Sequence, residues 1–262
     1  MLKVYVVNAF TKDEFGGNPA AVVPLQKWLP DDLMQQMAEQ HNLAETAFIV
    51  PDGNQYFIRW FTPTVEVDLC GHATLASAHI YFSVLHYPDR KIIFNSKSGL
   101  LAAIRQEDGS ICLDFPVNLP TPTDLLPEIE KGLNIRPTEI YSSTFDYLAV
   151  FDSQDDIEKL APDFKMLSSV KSRGLLTTAA GKDADFVARC FFPQSGIDED
   201  PVTGSAYTVL APYWSKRLGK KKMSAIQLSS RKGFVDCEWA ESRVLISGFA
   251  KTYLQGEVGI NE

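Results

Sequence analysis

Small and acidic residues cluster at two points of the sequence where a loop is expected to become a helix. The first point is the segment CGHATLAS, which starts at Cys70, and the second is DEDPVTGSA, which starts at Asp198. In both, a glycine precedes small residues, so the backbone N–H groups of Gly71–Thr74 and Gly204–Tyr207 are open to a ligand. N–H groups at a helix start bind anions, aided by the helix dipole. Each junction alone is also explained as a tight strand-to-helix turn, but their occurrence in both halves favours a carboxylate site.

Four polar side chains are candidates for the chemistry. Glu45 begins an apolar strand in NLAETAFIV, where desolvation would favour the protonated acid and suit acid–base work; the alternative is a strand-edge acid in water. His72 could donate to a substrate as a neutral imidazole, or be an ordinary residue of a first helical turn. Asp200 precedes Pro201, which suits the first helical position, so Asp200 could be an N-cap. Ser205 has the same two interpretations.

Cys70 raises two further possibilities. A thiol at a helix start is expected to have a lowered pKa. Cofactor-free racemases can use two such thiols, but the corresponding place in the second half holds Val202–Thr203, so this mechanism is not available. A metal site from Cys70, His72 and Asp200 is a weak alternative, because Cys-x-His lacks the usual ligand spacing, and we expect no metal. The remaining acids of the second segment, Asp198 and Glu199, are interpreted as solvated.

The elements that must position these residues are mostly short strands. Runs of four to eight residues rich in Val, Ile, Phe or Thr recur along the chain, separated by Gly, Asn, Asp or Pro. Two of the predicted helices, Gly71–Leu85 and Thr203–Leu218, are apolar on nearly all faces, which is typical of buried helices. We therefore predict an α+β fold in which a curved, mostly antiparallel sheet wraps a central helix, twice. The predicted helices are Asp31–His41, Gly71–Leu85, Asp124–Gly132, Ser153–Leu160 and Thr203–Leu218. The fourth opens on a Ser-x-x-Asp capping pattern, and the last is expected to be kinked or interrupted at Pro212.

The two halves of the chain resemble each other. RWFTPTVEVDLCGHATLASAHIYF can be laid against ARCFFPQSGIDEDPVTGSAYTVLAPYW, each an aromatic strand, an acidic loop, a glycine and a small-residue helix. Repetition of this length indicates a duplicated domain. The predicted domains are residues 1–116, with the C-terminal strand as an optional addition, and residues 117–262. The Pro-rich segment Pro116–Pro127 is the expected linker.

Charge and targeting signals restrict the partners. The formal net charge is −8, and the longest basic cluster is the triplet Lys220–Lys222, so a nucleic-acid partner is not expected. The N-terminus lacks the apolar segment and cleavage site of a signal peptide, and no apolar run is long enough to span a bilayer. The expected location is the cytoplasm, with no membrane partner.

Four segments together resemble the PhzF-like proteins, which are related in fold to diaminopimelate epimerase and proline racemase. The segments are FGGNPAAVV, NLAETAFI, RWFTPTVEVDLCGHATLASAHI and DEDPVTGSAY, in that order. The resemblance implies a cofactor-free isomerase, commonly a homodimer, with its active site between two similar domains. By position, Glu45 matches the proton-shuttling carboxylate, and His72, Asp200 and Ser205 match supporting polar residues. The expected backbone donors to substrate are Gly71, Ala73, Gly204 and Ala206.

The sequence thus favours an isomerase that moves a proton on a small carboxylic acid, with Glu45 as general acid and base. In the phenazine case, the substrate implied by the resemblance is a dihydro-hydroxyanthranilic acid, and a double bond shifts to give a ketone. Two alternatives stay open at this point. One is an amino-acid epimerase that uses a single carboxylate, and the other is a binding or adaptor protein with an idle cleft.

Overall fold

The computed structural model describes residues 1–260, and over this range short strands alternate with a few helices. The strands are β1 (Leu2–Ala9), β2 (Asn18–Pro24), β3 (Glu45–Asp52), β4 (Gln55–Phe61), β5 (Glu66–Val67), β6 (Lys91–Ser96), β7 (Gly99–Arg105), β8 (Ile111–Pro116), β9 (Thr121–Pro122), β10 (Glu139–Ser142), β11 (Asp146–Val150), β12 (Gly174–Ala180), β13 (Phe186–Phe192), β14 (Ile197–Asp200), β15 (Lys222–Gln227), β16 (Gly233–Ala240), β17 (Arg243–Gly248) and β18 (Ala250–Val258). The helices are α1 (Asp31–His41), α2 (Gly71–Ser83), α3 (Pro127–Gly132), α4 (Gln154–Lys159), α5 (Phe164–Leu167) and α6 (Tyr207–Leu218), with 3₁₀ turns at Pro193–Ser195 and Gly204–Ala206.

Contacts divide the chain into two compact units. The first comprises Met1–Asp114 and the C-terminal residues from Ser247, and the second comprises Phe115–Ile246. The C-terminal strand β18 joins the first unit by pairing antiparallel with β1, from Leu2 opposite Val258 to Ala9 opposite Ala250. That residues 1–116 and 117–262 form separate domains stays a prediction.

The two units use the same order of strand pairing. In the first, β1–β2 is antiparallel, β2–β3 parallel, β3–β4 antiparallel, β4–β6 parallel and β6–β7 antiparallel. In the second, β10–β11, β11–β12, β12–β13, β13–β15 and β15–β16 follow in the same alternation. A parallel pair needs a crossover connection, and each unit sends a helix-containing segment across at the same two places. This is the structural form of the sequence repeat.

Each unit has one long helix that is buried nearly all round. In α2, all residues except His79 and Ser83 are buried, and the helix packs against β1, β2 and β3. In α6, the residues from Tyr207 to Ser215 are buried, and the helix packs against β15 and β16. Small residues let α2 approach the strands closely. The fold-class prediction, α+β with a central helix in each half, is confirmed.

Proline inside α6 is accommodated by a bond from the preceding Pro-rich segment. Pro212 has no N–H, so the carbonyl of Thr208 loses its usual helical donor. The backbone N–H of Asn118 donates to this carbonyl at 3.1 Å. The helix runs through Pro212, so of the two predicted effects, a kink or an interruption, the interruption is wrong, because a partner outside the helix satisfies the exposed carbonyl. The helical segment itself starts with the 3₁₀ turn at Gly204, one residue later than predicted.

Helix limits elsewhere follow local signals. The α1 limits agree with the prediction, and Asn42 ends the helix in the left-handed conformation with φ 50°. The predicted Ser-x-x-Asp cap is present before α4, where the Ser153 hydroxyl accepts from the N–H of Asp156 and the Asp156 carboxylate accepts from the N–H of Ser153. The predicted helix from Asp124 starts only at Pro127, which stands in the first turn. Over residues 1–260, the helices are too short or too polar to cross a membrane.

Candidate active site

Glu45 and His72 meet in the first unit. Glu45 is the first residue of β3, where it pairs with Ala20 of β2, and its side chain is 13% exposed. His72 is the second residue of α2 and is buried. The carboxylate Oε2 of Glu45 lies 3.1 Å from Nε2 of His72, at ion-pair distance. The start of β3 and the start of α2 thus bring an acid and an imidazole together. The sequence had indicated each residue as a candidate, but not their contact.

The other ring nitrogen of His72 faces Asn18 and Cys70. Nδ1 of His72 lies 3.2 Å from Nδ2 of Asn18 and 3.5 Å from Sγ of Cys70. An Asn18 NH₂ group turned toward Nδ1 corresponds to a neutral imidazole that carries its proton on Nε2. The Asn18 carbonyl oxygen turned toward Nδ1 requires a proton on Nδ1, as in the imidazolium or the other neutral tautomer. Asn18 lies in the FGGNPAAVV segment but was not predicted as a site residue; its position beside a buried glycine-rich turn was the available signal.

Burial and charge set the protonation of this group of side chains. Burial disfavours the imidazolium of His72, but the Sγ atom of Cys70 and the Glu45 carboxylate, which lie against the two ring nitrogens, outweigh it, and the pKa of His72 lies well above its usual value. Burial, with the Glu45 charge, raises the pKa of the Cys70 thiol to about 11. The thiol is therefore neutral near pH 7. The prediction of a lowered pKa for Cys70 is wrong, because desolvation exceeds the effect of the helix start.

Glu45, Cys70 and His72 are also the residues of this unit that could hold a metal ion. One donor atom from each lies within 4.8 Å of the others. However, Cys70 contacts Nδ1 of His72 while Glu45 contacts Nε2, on the opposite side of the ring. A single ion binds one of these nitrogens, so the three side chains cannot all ligate it in this arrangement. The donor set suits a proton relay better than a metal centre.

In the second unit, Asp200 and Gln227 hold the segment that precedes the Gly204–Ala206 turn. Asp200 ends β14, and its carboxylate accepts from the Thr203 hydroxyl at 2.5 Å. The Gln227 amide accepts from the N–H of Thr203 at 2.9 Å and donates to the carbonyl of Asp200 at 2.8 Å. The interpretation of Asp200 as N-cap with Pro201 as first helical residue is wrong, because Asp200 ends a strand and Thr203 takes the N-cap position. Gln227 carried no local sequence signal.

Each predicted backbone donor sits at a helix start. Gly71 and Ala73 lie in the first turn of α2, beside His72. Gly204, Ser205 and Ala206 form the 3₁₀ turn that leads into α6. Within that turn, the N–H of Ala206 donates to the carbonyl of Thr203 at 3.1 Å, so this donor already has an acceptor in the chain.

Glu199 forms an ion pair that the sequence did not indicate. Its carboxylate accepts two hydrogen bonds from Arg189, at 2.7 and 2.8 Å, and its side chain is 20% exposed. The interpretation of Glu199 as a solvated acid is therefore wrong, since its partner lies one strand away. The same pairing, two hydrogen bonds from one guanidinium to one carboxylate and called a fork below, occurs in the first unit between Arg59 and Glu66. There, the hydrogen bond from Arg59 lowers the pKa of Glu66 to about 2.

The duplication does not extend to the acid Glu45. Thr46, the next residue of β3, pairs with Phe61, and in the second unit Leu175 pairs with Phe191. By this register, the place of Glu45 is taken by Gly174. A Cβ atom on Gly174 would lie 2.2 Å from the Phe192 ring, so the space for a side chain is filled. The second unit thus has no carboxylate at the repeated position.

Comparison with known proteins gives one family. A family model described as "Phenazine biosynthesis-like protein" (PhzC-PhzF) matches residues 7–256. An uncharacterized isomerase of Pseudomonas aeruginosa is 44% identical over 260 residues, covering 99% of both chains. A second one from the same organism is 46% identical over 255 residues, covering 97% of this chain and 98% of the other. A solved structure of a PhzF-family phenazine biosynthesis protein from Enterococcus faecalis is 45% identical, with a TM-score of 0.96 and 99% of both chains covered.

The fold extends to more distant proteins. The crystal structure of a probable proline racemase from Agrobacterium radiobacter K84 matches with a TM-score of 0.65 at 8% identity, over 100% of this chain and 94% of that one. At such low identity, the likeness concerns the fold alone. It agrees with the duplicated arrangement of strands and central helices described above.

Proposed function

The chain is an isomerase of the PhzC-PhzF family of phenazine biosynthesis-like proteins, and from this premise we propose that Glu45 moves a proton on a small carboxylic acid without a cofactor. The observation that carries the proposal is the contact of 3.1 Å between Oε2 of Glu45 and Nε2 of His72, both largely buried. A carboxyl group that lies next to an imidazole and is shielded from water is suited to exchange a proton with a carbon of the substrate.

The proton transfer needs only one carboxyl group. As a carboxylate, Glu45 takes a proton from a carbon of the substrate; as an acid, it returns this proton to another carbon on the same face. The imidazolium of His72 stabilises the carboxylate form before the first step. On the other side of the ring, Nδ2 of Asn18 lies 3.2 Å from Nδ1.

The missing second base favours an isomerisation over a two-base racemisation. The position equivalent to Glu45 in the second unit is Gly174, and the Cys70 thiol is neutral near pH 7 because its pKa is raised to about 11. A stereocentre is inverted most directly by two groups on opposite faces, whereas a double bond can shift by transfer on one face. The single-carboxylate epimerase remains the second candidate within the same enzyme class.

The substrate side of the proposal rests on the resemblance. We assign Gly71, Ala73, Gly204, Ser205 and Ala206 to substrate binding and Asp200 to the support of catalysis. The helix starts that carry these residues attract anions, which suits a substrate carboxylate. Because the N–H of Ala206 is engaged within its own turn, the N–H of Gly204 and the hydroxyl of Ser205 are the expected donors in the second unit. The resemblance also implies a homodimer.

Hydrogen–deuterium exchange at carbon tests the proposal directly. The protein is incubated in D₂O with L-proline, trans-4-hydroxy-L-proline, methylitaconate and a dihydro-hydroxyanthranilic acid, and loss of C–H signals is followed by NMR. We expect exchange on at least one acid, and a decrease of about 10²–10⁴-fold in Glu45→Gln. Glu199→Gln is the control, since its carboxylate is held by Arg189 and has no role in proton transfer.

Two outcomes would contradict the proposal. If Glu45→Gln exchanges protons as fast as the natural sequence, another group is the base. If no acid exchanges with the natural sequence although one binds, the adaptor alternative becomes the better description.

A further inference from the structure

Arg173 is held in one orientation by a buried acid. It immediately precedes β12, and its Nε donates to Oδ1 of Asp146 at 2.8 Å while Nη2 donates to Oδ2. The Asp146 side chain is fully buried, at 0% exposed, at the start of β11. A bidentate pair with a buried carboxylate fixes the plane of the guanidinium. Arg173 carried no local sequence signal, because Asp146 lies 27 residues away.

Two aromatic rings lie against the guanidinium of Arg173. The guanidinium carbon of Arg173 lies 5.7 Å from the ring centre of Phe145 and 5.5 Å from that of Phe192. These rings stabilise the cation and leave few alternative rotamers. The positive charge of Arg173 is therefore fixed in place rather than sampled by a flexible side chain.

The third contact of Arg173 reaches the predicted substrate residue Ser205. Nη1 donates to Oγ of Ser205 at 3.1 Å. A guanidinium has only donors, so the Ser205 oxygen must accept this bond and its own proton is left for another acceptor. Ser205 follows Gly204 as His72 follows Gly71, so both hydroxyl and imidazole stand second at a helix start. The geometry thus makes Ser205 a donor toward an anion.

The surroundings of Arg173 are positive and rich in hydroxyl groups. A cavity of about 260 Å³ adjoins it, lined by residues 142–147 and 171–173, with Lys171 as a second cation. Asp146 is the acid of this lining, and both of its oxygens are bound by Arg173. Arg173 lines this cavity and also contacts Ser205.

We propose that Arg173 is the positioning residue for the substrate anion: its hydrogen bond to Ser205 Oγ holds the Ser205 hydroxyl as a donor to a substrate carboxylate. The identity of the anion as the substrate carboxylate rests on the proposed function. The electrostatic relation between Arg173 and position 205 does not, and it can be tested without any substrate.

The substrate-free test places a thiolate at position 205. Ser205→Cys is alkylated with iodoacetamide between pH 5 and 10, since only the thiolate reacts and the natural cysteines are buried. We expect the pKa of the introduced thiol to lie below the ordinary value of about 8.5 and to rise by about one unit when Arg173→Lys is added. The control is Arg189→Lys, because Arg189 forms the same fork with Glu199 but does not contact Ser205. An alkylation profile unchanged by Arg173→Lys overturns the proposal.

The second test measures, by calorimetry, binding of a hydroxyanthranilate, the aromatic analogue of the dihydro-hydroxyanthranilic acid that the resemblance implies as substrate. We expect Ser205→Ala and Arg173→Lys each to weaken binding about tenfold, and the double variant to bind no more weakly than Ser205→Ala alone. Additive losses would mean that Arg173 contacts the ligand directly, which contradicts a role through Ser205. Equal binding by Ser205→Ala and the natural sequence would remove Ser205 from the substrate site, and so contradict the proposed function, while the thiol titration still decides the role of Arg173.

Discussion

At the scale of single residues, the candidate site of the first unit is built around the two ring nitrogens of His72. Nε2 of His72 faces the acid Glu45, and Nδ1 faces Asn18 and Cys70. The Cys70 thiol, with its pKa raised to about 11, stays neutral near pH 7, so Glu45 is the acid–base partner of the ring. The cluster is therefore one acid–base pair with polar support, and not a thiolate site.

The raised pKa of His72 predicts a specific pH dependence of stability. The folded-state pKa lies above the unfolded value of 6.5, so the contribution of His72 is fully present below that pH and is lost as the pH rises through the folded value. We expect the difference in unfolding free energy between the natural sequence and His72→Gln to shrink from pH 6 to pH 8.5. This interval lies below the Cys70 pKa of about 11. Urea unfolding at a series of pH values measures the difference.

His41 provides a control of opposite sign. Burial lowers the pKa of His41, so its protonation opposes folding. His41→Gln should therefore gain stability relative to the natural sequence as the pH falls below about 6.5. A difference for His72→Gln that is constant with pH, or that grows as the pH rises, would show that the imidazolium is not favoured in the folded state.

At the scale of elements, the two units place different residues at the same strand start. β3 begins with Glu45 and β12 with Gly174, although the registers against the next strand agree. The supporting elements have changed much less: the Arg59–Glu66 fork of the first unit recurs as Arg189–Glu199. The duplication thus preserved the scaffold and gave the acid to one copy only.

The packing at Gly174 predicts the cost of adding a side chain there. A Cβ atom would lie 2.2 Å from the Phe192 ring and 2.7 Å from the backbone oxygen of Phe191, which cannot both move away. We expect Gly174→Ala to lower the unfolding free energy by roughly 1–3 kcal/mol, measured by denaturant titration. Gly259→Ala is the control, since nothing lies within 4 Å of its Cβ position. Equal stability of the two variants would contradict the packing argument.

At the scale of the whole molecule, the chain ends are joined within the first unit. β18 pairs with β1 along its length, and its Tyr253 lies edge-on to Phe15, with ring centres 6.1 Å apart. Phe15, Tyr253 and Leu254 are 75%, 59% and 46% exposed. Neighbouring apolar side chains left in water commonly mark a protein interface. They are the natural place to look for the homodimer that the family resemblance implies.

We expect light scattering to give twice the chain mass of 29.2 kDa. Tyr253→Ser should shift the protein toward the monomer, because it removes apolar area from the patch. Phe234→Ser is the control, since Phe234 is 48% exposed but belongs to the second unit. A mass of one chain at all concentrations would rule out the dimer, and a dimer that Tyr253→Ser leaves intact would place its interface elsewhere.

The sequence by itself determined what depends on local pattern. Short runs rich in Val, Ile, Phe or Thr predicted the strands, and nearly all-apolar segments predicted the two buried helices. The Ser153 cap predicted the start of α4, and the repeated glycine junctions predicted the duplication. Family membership and the isomerase class, inferred from four short segments, are confirmed. Each of these signals lies within a few residues of what it specifies, so it can be read without the fold.

The tertiary structure decided what depends on burial and on distant partners. Desolvation raised the pKa of Cys70 where the helix start alone predicted a decrease. The Asn118 N–H spared α6 a break at Pro212, and Arg189 bound the acid Glu199 that had been interpreted as solvated. Arg173 reaches Ser205 across 32 residues of sequence. The energy of a charge or an unpaired carbonyl depends on what surrounds it in space, and only the folded chain defines those surroundings.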